Sequence, residues 1–104
     1  MNLSQDKWIE SISNSKNCTV LDVRTKEEYE EGFIKNSINL NIYDSQSFLN
    51  GINKLEKSNS IYVYCRSGAR SFQACELMTK FGFENVYNLE GGIVEWNGEI
   101  TKNN

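Results

Sequence analysis

The chain of 104 residues contains no histidine and no proline. Without an imidazole it cannot build a Ser-His-Asp or Cys-His nucleophile pair, most kinds of zinc site, or an acid–base step that uses histidine. Without proline, no turn can be assigned to an X-Pro step and no cis-proline slows folding. A nucleophile in this chain must therefore be activated by main-chain N–H groups, helix dipoles or arginine side chains.

Other features are also scarce. No apolar run approaches membrane-spanning length, and the first eight residues lack the basic and apolar regions of a secretory signal. The three cysteines are an odd number without CxxC or metal-ligand spacing, which argues against a disulfide framework and against a metal site. The net charge of −3 argues against nucleic acid or an anionic membrane as a partner. We therefore expect a cytoplasmic protein that holds no metal.

The length fits one domain over residues 1–104, with a core from about 3 to 97 and a frayed tail at 101–104. Short apolar segments predict strands at 19–23, 37–42, 61–64 and 86–89. Between them, amphipathic segments predict helices capped by Ser4, by Thr25 and by Ser45 or Ser47, and a further helix at 70–80. This alternation predicts an α/β fold with a mostly parallel sheet covered by helices on both faces.

Two details of the helices are specific enough to test. Gly32 and Gly82 are each followed by phenylalanine, which predicts a left-handed glycine that closes the preceding helix. In the helix at 70–80 the spacing predicts an inward stripe, which consists of Ala74, Leu77, Met78 and Phe81.

The most informative stretch runs from Ser60 to Ser71: an apolar strand, then Cys65, then a loop with two arginines at the start of a helix. A free cysteine titrates near ~8.5, so half-ionisation at neutral pH needs about 2 kcal/mol of stabilisation. A helix N-terminus supplies ~0.3–1 kcal/mol. The remainder must come from loop N–H groups and from Arg66 or Arg70. We therefore interpret Cys65 as a nucleophile, and the competing interpretation is a cysteine buried as a small apolar residue.

The composition of the loop fits that role. Gly68 and the small residues Ser67 and Ala69 let the backbone curl around the sulfur and direct N–H groups inward, as in an anion-binding nest. Asp22 and Arg24 end the strand at 19–23, and parallel strands would bring them to the same edge as Cys65. Asp22 either orders the loop or is a turn carboxylate, and Arg24 either steers substrate or forms a surface ion pair.

The remaining candidates have simpler interpretations. Cys75, beside the apolar stripe of its helix, is expected to pack in the core rather than to act as a resolving cysteine. Cys18 is expected to be inert. Glu28 completes a capping box with Thr25 and is interpreted as a helix cap rather than a catalytic acid.

Taken together, the motifs resemble those of a single-domain rhodanese, a sulfurtransferase. The matching segments run in order from about residue 3 to 96: 21–24 with 28–29, 32–34 with 38–39, 64–71, 82–86, and 89–93 with Trp96. The combination of Cys65-Arg66-Ser67-Gly68-Ala69-Arg70 with Leu89-Glu90-Gly91-Gly92-Ile93 is the specific part of this likeness.

The resemblance implies a five-stranded parallel sheet between helices and a cysteine that carries sulfane sulfur. Cys65 would take sulfur from a small anionic donor such as thiosulfate, hold it as a persulfide, and pass it to cyanide, a thiol or an acceptor protein. The backbone from Arg66 to Arg70 would cradle the sulfur, and these two arginines would attract the donor or hold the loop. No cofactor is implied beyond the covalent persulfide.

One segment departs from the family, and two other functions compete. The family usually has Gly-His-Ile-Pro-Gly-Ala where this chain has Gly32-Phe33-Ile34-Lys35-Asn36-Ser37, which changes the local turn. The first alternative is a binding or regulatory module that keeps the fold without turnover. The second is a phosphatase or arsenate reductase, whose loop has five residues between cysteine and arginine. Here Cys65 and Arg70 have four residues between them, so the loop should fit a sulfur better than a phosphate.

Overall fold

The computed structural model describes residues 1–102. Its helices are α1 (Gln5–Ser13), α2 (Lys26–Glu31), α3 (Ser45–Ile52) and α4 (Ala69–Lys80), followed by a 3-10 turn over Ile93–Glu95. Its strands are β1 (Asn2–Leu3), β2 (Cys18–Asp22), β3 (Ser37–Asn39), β4 (Ser60–Tyr64) and β5 (Asn85–Leu89). They form one parallel sheet in the order β1-β5-β4-β2-β3, which confirms the predicted five-stranded α/β fold.

Helices cover both faces of this sheet. On one face, α3 and α4 pack through Phe48, Ile52, Ala74, Cys75 and Met78 against Leu21, Ile61 and Val63. On the other face, Trp8 of α1 is fully buried and meets the rings of Tyr62, Tyr64 and Trp96 edge-on. Burying an apolar side chain of this size contributes roughly 1.5–3 kcal/mol, so these two layers hold the helices against the sheet beneath its loops.

The centre of the sheet sets the position of the cysteine loop. β4 lies between β2 and β5, and Asp22 is paired in register with Tyr64. The residues that follow these two strands, Val23 and Cys65, therefore leave the sheet at the same edge. The Val23 N–H also donates to the Tyr64 carbonyl at 3.1 Å, which continues the pairing to that edge.

Most of the predicted helix ends are confirmed. The Ser4 hydroxyl accepts the Lys7 N–H at 3.4 Å, and Thr25 and Glu28 form the predicted capping box. Gly82 has a φ of 96°, and the Phe83 N–H reaches back to the Met78 carbonyl at 3.0 Å, as a left-handed closure requires.

Four expectations were wrong in detail. Gly32 is extended (φ 158°, ψ 136°) rather than left-handed, although Phe33 does stack on Tyr29. The cap of α3 is Asp44, whose carboxylate precedes both serines and accepts the Ser47 N–H. Phe81 is 43% exposed because it lies beyond the last residue of α4, Lys80, and does not continue the buried stripe of that helix.

The fourth concerns β3, which ends at Asn39 rather than at residue 42. Beyond it the Leu40 and Ile42 N–H groups bond to the Asp22 and Val23 carbonyls, and both apolar side chains pack against the core. The alternating pattern therefore predicted the packing of Leu40 and Ile42 but not that of Ile38, which is 44% exposed on β3.

The segment near the C-terminus pairs with the residues that follow α2. Thr101 forms an antiparallel bridge with Phe33 through N–H···O bonds of 2.8 and 2.9 Å. This differs from the expected fraying at Thr101, whereas the last residues of the predicted frayed tail, Asn103 and Asn104, lie outside the described residues. In the described chain no helix has both the length and the apolar character needed to cross a membrane.

Candidate active site

Cys65 follows the last residue of β4 and is 1% exposed. Its sulfur accepts two hydrogen bonds from the residues after it, from the Gly68 N–H at 3.1 Å and from the Ser71 hydroxyl at 3.3 Å. The two donors follow Cys65 by three and six residues in the sequence. The surroundings of the sulfur are therefore formed by the end of β4, the loop and the first turn of α4.

Opposing effects act on the acidity of this thiol. Burial raises the pKa of Cys65, but hydrogen bonds from the Ser71 hydroxyl and from the main-chain N–H groups of Ser71, Gly68 and Ser67 outweigh it. The net result is a pKa below the ordinary value of cysteine. Donors from the loop and from the first turn of α4 thus favour the thiolate, whereas neither Arg66 nor Arg70, the other predicted source of stabilisation, is among the main causes of the lowered pKa.

The start of α4 explains why these N–H groups are free to bind sulfur. The residue that precedes α4 is Gly68, which has no side chain, and no side-chain cap bond is found there among the described residues. The first N–H groups of a helix have no intrahelical acceptor. Cys65 Sγ takes the place that a capping oxygen occupies in other helices, so the helix and the thiolate stabilise each other.

Two glycines allow the loop to pack as it does. Gly68 has a φ of 103°, a left-handed conformation that strains other residues. A Cβ on Gly92 would clash with the Arg66 carbonyl group. The close approach lets the N–H groups of Ile93 and Val94 donate to the carbonyls of Cys65 and Arg66 at 2.9 and 3.0 Å. Gly91-Gly92 thus serves the backbone geometry beside the site.

The two loop arginines occupy different environments. Arg70 makes a two-pronged ion pair with Glu28, at 2.7 and 2.9 Å, and its guanidinium lies 5.3 Å from the centre of the Tyr43 ring. Arg66 is exposed and lines an open cavity of about 360 Å³. The other residues that line this cavity are Arg24, Glu28, Glu31, Gly32, Ile93 and Val94.

Glu28 has a second role that the sequence did not indicate. It completes the capping box of α2 as predicted, and it also links α2 to α4 through Arg70. The Arg70 hydrogen bond is the main reason that the pKa of Glu28 is lowered to about 2. Glu28 and Arg70 are 42 residues apart, so no local sequence pattern could predict this contact.

Asp22 and Arg24 reach the same edge of the sheet and bind each other. Their shortest contact is 2.6 Å, and the Asp22 carboxylate also accepts the Arg24 main-chain N–H at 2.9 Å. Arg24 donates further to the Gly32 carbonyl at 2.7 Å and lies 5.6 Å from the Tyr64 ring centre. Both side chains are buried, so Arg24 is not in a surface ion pair. Within residues 1–102, no hydrogen bond joins Asp22 to the cysteine loop.

The other two cysteines lie apart from this chemistry. Cys75 is fully buried in the core beneath α4, as predicted, and burial raises its pKa to about 12. Cys18 is half-buried and begins β2, at the sheet edge opposite to Cys65. In the described part of the chain, no group of three or more cysteine, aspartate or glutamate side chains is arranged to hold a metal ion.

The segment that departs from the family pattern is well packed. Phe33 is 8% exposed and stacks on Tyr29, with ring centres 4.2 Å apart. Asn36 has a φ of 70°, at a position where the family usually has glycine, and asparagine tolerates this conformation. The Ser37 hydroxyl lies 3.1 Å from the Tyr64 hydroxyl, a contact that an alanine cannot make. The departing segment is therefore held by its own local packing and hydrogen bonds.

Sequence reasoning missed Ser71 as a partner of the sulfur. Its side chain is fully buried, and it lies in the first turn of α4. A serine six residues after the cysteine, on the inward side of a predicted helix, was the available signal.

Replacing Ser71 with alanine is expected to raise the pKa of Cys65 by about 1 unit, because a hydrogen bond to a charged group is lost. The measurement is the rate of iodoacetamide alkylation at Cys65 as a function of pH. Ser67→Ala is the matched control, since the Ser67 side chain is exposed and its contribution comes from the main-chain N–H. Equal titration of wild type and Ser71→Ala would show that the hydroxyl does not stabilise the thiolate.

Comparison with known proteins gives a consistent result. The sequence profile of the Rhodanese-like domain family matches residues 5–99. A sulfurtransferase of Allochromatium vinosum is 31% identical over 94 residues, which cover 90% of this chain and 85% of that protein. The crystal structure of a rhodanese-like domain protein from Staphylococcus aureus superposes with a TM-score of 0.83 and 26% identity, over 99% of this chain and 98% of that one.

A third relative is longer. The tRNA uridine(34) hydroxylase of Pelagibacter ubique is 38% identical over 96 residues, which cover 92% of this chain but 32% of the hydroxylase. The chain thus spans about a third of the length of that relative. Because the family profile matches nearly the whole chain, the chain belongs to the Rhodanese-like domain family.

Proposed function

We propose that the chain is a sulfurtransferase that carries sulfane sulfur as a persulfide on Cys65. The observation that supports this best is the set of donors around Cys65 Sγ, which lowers the pKa of a buried thiol without a histidine. Family membership and the sulfurtransferase name of a relative that matches over most of its length agree with the proposal.

The first half of the cycle loads the sulfur. The Cys65 thiolate attacks the sulfane sulfur of a donor such as thiosulfate, and a new S–S bond forms. The bond between the two sulfur atoms of the donor breaks, and sulfite leaves with the bonding electron pair. The charge then lies on the outer sulfur of the persulfide, and N–H groups preorganised around an anion stabilise it without rearrangement.

The second half unloads it. A nucleophilic acceptor, such as cyanide, a thiol or an acceptor protein, attacks the outer sulfur, and the Cys65 thiolate leaves with the S–S electron pair. The leaving thiolate regains the hydrogen bonds from Gly68 and Ser71, which lower its basicity. The same donors thus serve both directions of transfer, and no general acid is needed at the sulfur.

In this proposal Arg66 and Arg70 have different supporting roles. Arg66 is the cation that attracts an anionic donor, because its side chain is exposed at the cavity. Arg70 is bound by Glu28, so its role is to fix the first turn of α4 relative to α2. Asp22 and Arg24 support the neighbouring strand end as a buried pair.

The competing functions are less well supported. The tRNA-modifying relative is about three times as long as this chain, and a net charge of −3 disfavours a polyanionic RNA partner. A phosphatase or arsenate reductase would need a cysteine loop wide enough for a tetrahedral oxyanion. Here the sulfur is already contacted at 3.1 Å by the N–H three residues later, within the shorter loop.

The direct test is to incubate the protein with thiosulfate and record its intact mass. We expect a gain of one sulfur atom, which cyanide or a thiol then removes. Trypsin separates the three cysteines into peptides 17–24, 58–66 and 71–80, so alkylation followed by digestion locates the added sulfur. Sulfur on any peptide other than 58–66 would contradict the proposal. A folded protein that takes up no sulfur from thiosulfate or from a small-molecule persulfide would favour the binding module instead.

A further inference from the structure

Asn88 is the polar residue of β5 that faces the beginning of α4. It is 3% exposed and shares its face of the strand with Val86, which packs in the core beneath α3 and α4. Its side-chain Nδ2 donates to the Gly68 carbonyl at 3.1 Å and to Asn2 Oδ1 at 2.9 Å. Its Oδ1 is buried and has no hydrogen-bond partner among the described residues.

The Asn88 amide makes two hydrogen bonds through its nitrogen and none through its oxygen, and this difference indicates how the residue affects stability. A buried acceptor without a donor costs free energy, so the oxygen does not favour asparagine at this position. Turning the amide over would place its oxygen against the Gly68 carbonyl, which can only accept a hydrogen bond. Asn88 therefore stabilises the fold through its two N–H groups, and one of them binds the cysteine loop.

The hydrogen bond from Asn88 binds Gly68, which itself contacts the sulfur of Cys65. The Gly68 N–H donates to Cys65 Sγ, and the Gly68 carbonyl accepts from both Asn88 and the Phe72 N–H. Gly68 has no side chain with which to anchor itself, and a glycine backbone has more conformational freedom than any other. The loop also packs closely on the end of β5, since a Cβ on Gly68 would lie 3.5 Å from the Leu89 carbonyl oxygen.

We propose that Asn88 is a positioning residue: its side-chain amide holds the Gly68 carbonyl, so that the N–H of this glycine stays directed at Cys65 Sγ. This inference rests on the proposed function only in taking Cys65 as the nucleophile. Asn88 touches neither the sulfur nor the cavity beside Arg66, and its effect on the reaction passes through Gly68.

The test is the pH profile of Cys65 alkylation in Asn88→Leu, which keeps the size of the side chain and removes both donors. We expect the midpoint to rise by about one pH unit, which is a roughly tenfold decrease in the acid dissociation constant of the thiol. Asn2→Ala is the matched control. It removes the other acceptor of Nδ2 but leaves the bond to Gly68, so its profile should match that of wild type. Peptide 58–66 reports Cys65 separately from Cys18 and Cys75.

Two further variants keep the test decisive. Asn88→Asp is nearly isosteric, cannot donate when ionised and adds negative charge near the thiolate, so it should raise the midpoint more than leucine does. Asn88→Ser replaces the leucine variant if circular dichroism shows that leucine does not fold, and it should raise the midpoint similarly. A wild-type midpoint in the folded Asn88 variants, or an equal rise in Asn2→Ala, would overturn the inference. Neither result bears on sulfur uptake by the wild-type protein, which the thiosulfate experiment measures separately.

Discussion

Cys65→Ala is expected to abolish sulfur uptake from thiosulfate completely. The other two cysteines cannot replace it: Cys75 is fully buried with a pKa raised to about 12, and Cys18 lies at the opposite edge of the sheet. Neither sulfur accepts hydrogen bonds from loop N–H groups, as far as residues 1–102 show. The measurement is the intact mass after incubation with thiosulfate, together with the rate of thiocyanate formation from cyanide.

The control for this result is Cys18→Ser, which should load sulfur as wild type does. The alanine variant should retain its fold, because Cys65 is small and loses a single sulfur atom of packing. Its circular dichroism spectrum and unfolding curve check this. A stoichiometric adduct on folded Cys65→Ala would mean that another residue carries the sulfur, and the proposed function would then be wrong.

Asp22→Asn is expected to destabilise the fold by about 3–5 kcal/mol, because it leaves the buried Arg24 guanidinium without a counter-charge. The two side chains are 0% and 6% exposed, so water can replace only a small part of the interaction with the lost carboxylate. Urea unfolding monitored by tryptophan fluorescence measures the free energy of unfolding. Trp8 is fully buried and reports loss of the core.

Glu28→Gln is the matched control, since it makes the same chemical change in the other arginine–carboxylate pair. The Arg70 and Glu28 side chains are 17% and 28% exposed, so we expect a loss of about 1 kcal/mol or less. The double variant Asp22→Leu/Arg24→Met should be more stable than Asp22→Asn, because it removes both buried charges. If the two single variants lose equal stability, burial does not distinguish these pairs and the argument fails.

The sequence was informative where local rules act alone. The capping box of Thr25, the left-handed Gly82 and the strand that ends at Tyr64 are each set by a few neighbouring residues, and the structure contains all three. The cysteine loop is a similar case, because its glycine and small residues directly follow the strand and show that the backbone there can curl around the sulfur. Its likeness to a known family added the five-stranded sheet, which periodicity alone did not reveal.

The features that the sequence did not predict are contacts between residues that are far apart along the chain. β1 has two residues, Asn2 and Leu3, too few for any pattern, and it exists because β5 pairs with it. The pairing of Arg70 with Glu28 and the contact of Asn88 with Gly68 likewise join residues that are 42 and 20 positions apart. Such contacts follow from topology, so they become visible only when the strand order is known.

The strand order has a consequence for how the protein is made. β5 supplies the edge on which β1 pairs, and β4 pairs with β5 on its other side, so the sheet cannot be completed before residues 85–89 have been synthesised. The groups that hold the cysteine loop, the Asn88 amide and the Ile93 and Val94 N–H groups, also come from this late part of the chain. On the ribosome, a chain that has just passed Ser71 therefore carries Cys65 in an unsupported loop. The hydrogen bonds that hold this loop from β5 and from the 3-10 turn form only after these late segments have docked.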